Sequence, residues 1–216
     1  MRLVFVHAAL ASLPALRRGL DQRPTWDVVN LLDDGLQRFF ADQDDLAVED
    51  RLRDMVRAAA TAYRARAVLA TCSAARLDAI ERIEQEFGLP FLKIDYPMCR
   101  AAVQVAERIG VVVSFPPTEP VTIGTLAEVA VRENRAIRPH TIVVPGALDL
   151  LNSGDRAAHD QLLTAAATSL REQGAEAIVL AQVSMSHLAV PLASALGIPV
   201  FDSLSTSFAE LERLTA

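Results

Sequence analysis

The sequence predicts an α/β protein built on mainly parallel strands. Short β-rich apolar runs alternate with longer segments of helical period, which is the pattern of strand–helix–strand units. One such unit occurs twice. The 216 residues, 51% hydrophobic and 22% charged, are also enough for a chain to bury roughly 70% of its unfolded surface.

The first strand is placed at residues 3–6, ahead of His7, and the first helix at 13–20. Arg2 before an apolar stretch superficially resembles a secretory leader. However, His7 and Pro14 interrupt the stretch and Arg17 and Arg18 close it, so strand and helix are the better reading. A strand at 26–31 runs into Leu32-Asp33-Asp34. The helix at 47–66 shows Leu52, Met55, Val56 and Ala59 at helical spacing, and its alanine-rich end suits close packing on a sheet. A strand at 67–70, a helix at 75–87 and a strand at 91–94 follow, then a helix at 98–109 and a strand at 111–114. Pro116-Pro117-Thr118-Glu119-Pro120 reads as a rigid loop before a helix at 122–134. The remainder alternates strands at 141–144, 177–181 and 200–201 with helices at 155–173, 186–196 and 205–214.

The repeat decides between architectures. Ala67-Val68-Leu69-Ala70-Thr71-Cys72-Ser73, a helix, then Gly88-Leu89-Pro90 and a strand ending at Asp95 echo Ile178-Val179-Leu180-Ala181-Gln182-Val183-Ser184, a helix, then Gly197-Ile198-Pro199 and a strand ending at Asp202. Eight equal units would close a (β/α)8 barrel, whereas an internal repeat favours two facing lobes: residues 1–96 plus 200–216, and residues 97–199. Parallel sheets take ligands outside their carboxyl ends, so the turns after the repeated strands are expected to meet at an interlobe cleft.

Composition excludes several chemistries. A net charge of −6 argues against a nucleic-acid or anionic-membrane partner. Lys93, the only lysine, lies in the apolar run Pro90-Phe91-Leu92-Lys93-Ile94 and is a poor Schiff-base candidate. The nine glycines form no Gly-x-Gly-x-x-Gly or P-loop pattern. Cys72, Cys99, His7, His140, His159 and His187 form no metal-ligand spacing. The expectation is therefore a cytoplasmic protein with reduced thiols that needs no metal and no organic cofactor.

Cys72 ends a strand and precedes the small residues Ser73-Ala74-Ala75, expected to open a helix. A thiol there sits beside unpaired N–H groups and the positive helix end, which favour thiolate. It reads as a base or nucleophile, or else as a small core residue. Cys99, within a helix, reads as packing. His7 follows the first strand and is either a site residue or a capped structural one; His187 opens a helix, and His140 and His159 read as structural or exposed. Ser73, Ser114, Thr118 and Thr122 are capping hydroxyls or carboxylate ligands. Asp33 and Asp34 read as loop caps.

Thr71-Cys72-Ser73-Ala74, the turn Ser114-Phe115-Pro116-Pro117-Thr118, and Ala181-Gln182-Val183-Ser184-Met185 before Gly197-Ile198-Pro199, in that order over nearly the whole chain, resemble the aspartate/glutamate/hydantoin racemase superfamily. Val29-Asn30-Leu31-Leu32-Asp33-Asp34 and Ile94-Asp95-Tyr96-Pro97-Met98 are similar to a poorly characterised branch of it. The resemblance implies two pseudo-symmetric, flavodoxin-like or Rossmann-like lobes, no cofactor, a homo-oligomer, and a small carboxylate substrate. It also implies one cysteine per lobe, either side of the substrate's α-carbon. The first maps onto Cys72; the second falls on Gln182 or Val183, and neither can exchange a proton. By the same resemblance Ser73, Ala74, Ser114, Thr118, Gln182 and Val183 would bind substrate, and Ser184, His187 or His7 could replace the missing acid. The open alternatives are a one-thiol decarboxylase, a cis–trans isomerase, and a carboxylate-binding protein without turnover.

Overall fold

The computed structural model describes residues 1–9 and 13–216. Its strands are β1 (Arg2–His7), β2 (Asp27–Leu32), β3 (Ala67–Ala70), β4 (Phe91–Lys93), β5 (Arg108–Val113), β6 (Arg138–Val143), β7 (Ala177–Leu180) and β8 (Val200–Asp202). They make two four-stranded sheets, ordered β2-β1-β3-β4 and β6-β5-β7-β8, parallel throughout. The two orders trace one path twice, so the sequence repeat is the second half of each copy. The helices are α1 (Leu13–Leu20), α2 (Leu36–Ala41), α3 (Asp45–Thr61), α4 (Leu77–Phe87), α5 (Tyr96–Val105), α6 (Thr118–Arg132), α7 (Ala147–Asn152), α8 (Arg156–Glu172), α9 (Ala189–Leu196) and α10 (Ser203–Thr215). Among the described residues no helix is long and apolar enough to cross a membrane.

Contacts divide the chain into Met1–Ile94 with Ser207–Ala216, and Asp95–Thr206. The sequence reading groups residues 200–216 with the first lobe. Instead β8 is hydrogen-bonded to β7, which keeps residues 200–206 in the second unit. Asp95 also belongs there, because the Thr125 hydroxyl of α6 donates to its Oδ2 at 3.1 Å.

In the first unit, α3 and α4 lay Val48, Leu52, Met55, Val56, Ala59, Ile80 and Ile83 on Val4, Val6, Val68 and Ala70. The period of two along β1 and β3 sends these strand residues to one face and Phe5 and His7 to the other. In the second unit, α5 and α6 cover Val111, Val113 and Val179. The opposite face, with Val112, Ile178 and Leu180, carries Leu163, Ala167 and Leu170 of α8. Fully covered parallel strands read as continuous apolar runs, which is why they were legible.

The glycines of the repeat have a common cause. Gly88 and Gly197 end α4 and α9 at φ +58 and +65, left-handed positions that cost a side-chain-bearing residue about 1 kcal/mol. Gly110 is required for a different reason. A Cβ there would lie 2.6 Å from Ile178 Cδ1 and 3.0 Å from Leu170 Cβ, so α8 rests directly on the β5 backbone. Gly110→Val is expected to destabilise the protein by about 1–3 kcal/mol in urea unfolding; an unchanged midpoint would contradict this close approach.

Several element boundaries differ from expectation: β5 and β6 begin at Arg108 and Arg138, ahead of 111 and 141, α6 begins at Thr118 rather than 122, and α3 ends at Thr61 rather than 66. The helix expected at 98–109 stops at Val105, because Ala106 turns extended (φ −142, ψ 147) and leads into β5. The helix expected from 186 is two pieces, a 3-10 turn at Val183–Leu188 and then α9. The helix expected from 75 begins only at Leu77, which changes the surroundings of Cys72. The short α2 and α7 carried too few periodic positions to be read from sequence.

An ion-pair network joins α3 to α4. The Glu49 carboxylate, 11% exposed, accepts from Arg82 at 3.2 and 2.5 Å and from Arg53 at 2.7 Å. The Arg82 hydrogen bond outweighs burial and holds Glu49 below the usual carboxylate range. Arg76 first, and then Arg82, bring Asp78 down to about 2. Both carboxyls are depressed in the fold, so their stabilisation is complete above the ordinary carboxylate pKa and is lost as pH falls through the folded values. Melting temperature should therefore fall between about pH 4.5 and pH 2. Glu49→Gln should lower stability at pH 7 by about 1–2 kcal/mol and flatten the acid limb; an unaltered limb would sink the assignment.

Candidate active site

At the carboxyl edge of the first sheet, three adjacent strands contribute one polar residue each. His7 closes β1, Asn30 lies on β2, and Thr71 follows β3. His7 is wholly buried, with Nε2 2.9 Å from Asn30 Oδ1 and Nδ1 2.8 Å from Thr71 Oγ1. Burial lowers its pKa against the opposing Asn30 hydrogen bond. A neutral ring fits both contacts, with Nε2–H donating to Asn30, and the single Thr71 hydroxyl proton has two acceptors in reach, His7 Nδ1 at 2.8 Å and the Val6 carbonyl at 3.1 Å. His7 thus braces the residue immediately before Cys72.

Cys72 continues the Val68, Ala70 face and packs, half-buried, against the core of that face. Ala75 N–H donates to its carbonyl at 3.4 Å. Residues 73–76 form a turn rather than the start of the helix. The positive end of α4 is therefore further from the thiol than the sequence implies, and Arg76, its N-cap, contributes no side-chain cap. What the turn offers instead is main chain: among the described residues, the N–H groups of Ser73 and Ala74 donate to no acceptor. Ala74 is exposed and Ser73 half-buried.

The second sheet has an equivalent edge. Ser114, 4% exposed, follows β5 and donates to Gln182 Oε1 through its N–H at 2.8 Å and its hydroxyl at 3.2 Å. Gln182 follows the neighbouring strand β7. The 3-10 turn then holds Val183 and Ser184 in place: Met185 N–H donates to the Gln182 carbonyl at 3.0 Å, and the Ser186 hydroxyl to the Val183 carbonyl at 2.9 Å. His187 Nδ1–H donates to the Ser184 carbonyl at 3.1 Å, and its Nε2 lies 2.8 Å from Asp160 of α8. Asp160 also faces His159 Nδ1 at 2.7 Å. Burial would raise the Asp160 pKa, but the His187 and His159 hydrogen bonds together bring it below its usual value. His187 is thereby a clamp on the turn.

The sequence-derived residues thus fall into two groups. His7, Cys72, Ser73 and Ala74 lie at the first edge; Ser114, Gln182, Val183 and Ser184 lie at the second. The hydroxyls of Ser184 and of Thr118 have no hydrogen-bond partner among the described residues. Thr118, read as loop, is the first residue of α6, with its N–H donating to Phe115 O at 2.9 Å. Thr122 is buried inside α6, Cys99 is buried in α5, and His140 is exposed on β6. Asp33 caps Gly35 N–H at 3.1 Å and pairs with Arg51 at 2.7 Å. Asn30 and Thr71 were quoted only as pattern; an asparagine inside a strand was the signal available for the first. Asp160 carried none. Among the described residues no three His, Cys, Asp or Glu side chains cluster as a metal site.

Two parallel α/β units of one topology, each offering polar groups at a carboxyl edge and one of them a thiol, define a two-lobed α/β enzyme class. The sequence profile of the Asp/Glu/hydantoin racemase family matches residues 15–211, and the chain belongs to that family. Among solved structures it is similar to allantoin racemase from Klebsiella pneumoniae, with 18% identity over 99% of this chain and 87% of that one and a TM-score of 0.71. It is also similar to glutamate racemase isoform RacE1 from Bacillus anthracis, with 16% identity, 99% and 80% coverage and a TM-score of 0.65. Arylmalonate decarboxylase matches with 15% identity, 100% and 92% coverage and a TM-score of 0.65. At these identities the likeness is one of fold. No sequence match is found among curated proteins.

Proposed function

We propose that this protein is a cofactor-independent enzyme of racemase or isomerase type that moves a proton at the carbon next to a carboxylate or carbonyl of a small substrate, an amino acid or a derivative, with the Cys72 thiolate as base. The observation that carries this reading is the position of Cys72. It is a half-buried thiol at the carboxyl edge of a parallel sheet, followed by two main-chain N–H groups that have no acceptor among the described residues. The thiolate takes the α-proton, the C–H electrons pass into the carboxyl group as an enediolate, and hydrogen-bond donors stabilise the charge that develops on oxygen. Inversion requires the proton to return on the opposite face, for which Ser184 is the candidate acid; return by the same thiol gives exchange of the α-hydrogen without interconversion.

Gln182 favours a second reading. Gln182 or its neighbour Val183 stands where a second acid is expected, and neither has a proton to exchange, which supports one-thiol chemistry: loss of carbon dioxide from a substituted malonate, its electrons left as an enediolate, and protonation of that carbon by the Cys72 thiol. Racemases and a decarboxylase among the structural neighbours accommodate both. The negative net charge supports a small-molecule partner over nucleic acid, and we expect a homo-oligomer in the cytoplasm.

The test is incubation in D2O with a panel of amino acids, hydantoins and small dicarboxylates. Deuterium entering the α-position of one enantiomer without interconversion supports one-thiol exchange; interconversion supports racemisation with Ser184 as the second acid. Release of carbon dioxide with one deuterium incorporated supports the decarboxylase. Binding of panel members without exchange or release would overturn the enzyme reading in favour of a binding protein.

A further inference from the structure

We propose that the Gln182 side-chain amide is a dedicated ligand donor, with Nε2 receiving a carboxylate or carbonyl oxygen at the carboxyl edge of the second sheet. This rests on the reading that the protein takes a small carboxylate. Ser114 pins Oε1 with two donors, the N–H at 2.8 Å and the hydroxyl at 3.2 Å. Exchanging the amide oxygen and nitrogen would set an N–H2 against the Ser114 N–H, donor against donor, so the orientation is determined by its partner. Nε2 is then buried and without an acceptor among the described residues.

An unsatisfied buried donor of this kind normally destabilises a fold by about 1–3 kcal/mol. A bound oxygen would recover that cost. The location fits, because β5 and β7 are neighbours and ligands of parallel sheets lie beyond the carboxyl ends of strands. The backbone about it is also fixed, through Met185 N–H on the Gln182 carbonyl and the His187–Asp160 clamp on the following turn. A primary amide hydrogen-bonds an anion but cannot supply it a proton. Gln182 therefore selects an oxygen and leaves proton transfer to a different group.

The experiment uses the 15N-labelled full chain. The Gln182 side-chain amide pair is identified by its disappearance in Gln182→Met and followed during titration with malonate and with hydantoin, against sodium chloride at equal ionic strength. We expect a saturable shift of that pair with malonate and none with chloride. Gln182→Glu keeps an acceptor for both Ser114 donors but replaces the Nε2 donor with an oxygen. It should weaken malonate binding by about tenfold or more, with circular dichroism melting as the control for folding. A pair that moves with neither probe, or a Gln182→Glu protein that binds malonate like wild type, overturns the proposal. Failure of the enzyme reading is distinguishable: the amide would shift while no panel compound exchanged deuterium. Conversely, deuterium exchange with unaltered KM in Gln182→Glu would remove the amide and leave the enzyme reading standing.

Discussion

Cys72→Ser is expected to lower α-proton exchange by about 10³-fold, the scale of a lost general base, while the protein melts within a few degrees of wild type. The oxygen replaces sulfur with little change in volume at a half-buried position, so packing against Ala70 and the helices of that face is retained. The hydroxyl is a far weaker acid than a thiol and leaves almost no anion at neutral pH. His7 does not rescue the variant, because both of its nitrogens are engaged with Asn30 and Thr71 and burial keeps the ring neutral. Deuterium incorporation followed by NMR, with circular dichroism melting as the control for folding, measures both quantities. Full exchange by Cys72→Ser would place the base elsewhere. Iodoacetamide labelling adds an independent reading: a thiol poised as thiolate reacts faster at neutral pH than one with an ordinary pKa.

The second large effect concerns stability. Phe208→Ala is expected to destabilise the first unit by about 3–5 kcal/mol. Phe208 is 1% exposed, its ring 5.9 Å from that of Phe5 and 5.1 Å from that of Trp26. The Arg23 guanidinium sits 4.9 Å over Phe208 and 5.3 Å over Trp26 and pairs with Glu212 at 2.8 Å. Truncation removes the ring both aromatics pack on and leaves a cavity beside β1. Trp26 is the only tryptophan, so its fluorescence reports the site directly during urea unfolding. Leu46→Ala, at a side chain 78% exposed, is the control and should change stability by less than about 0.5 kcal/mol. A Phe208→Ala loss under about 1 kcal/mol would mean that the terminal segment is not part of that core.

Cys72 and Gln182 were both legible as positions, because each follows a buried β-rich run and the two runs share a repeat. Their roles were less so. The thiol was expected at a helix start, and the turn at residues 73–76 replaces that helix end with two N–H groups that have no acceptor among the described residues. Gln182 read as a substrate contact in place of a cysteine; which end of its amide is available is decided by Ser114, distant in sequence, which takes up the oxygen. His7 read as either a site residue or a capped structural one, and only the structure shows its partners, Asn30 and Thr71. Asp160 was invisible, since nothing in a helical segment signals that a histidine 27 residues later will meet its carboxylate.

Local chemistry determined the strands, the glycine-ended helices, the parallel arrangement and the duplication, because each depends on backbone preference and side-chain period within a short stretch of chain. Tertiary structure alone decided which unit residues 200–206 join, which polar groups pair across neighbouring strands, and which donor is left without an acceptor. Those outcomes depend on hydrogen bonds between residues far apart in sequence, and the satisfaction of a buried polar group is a property of what surrounds it in space.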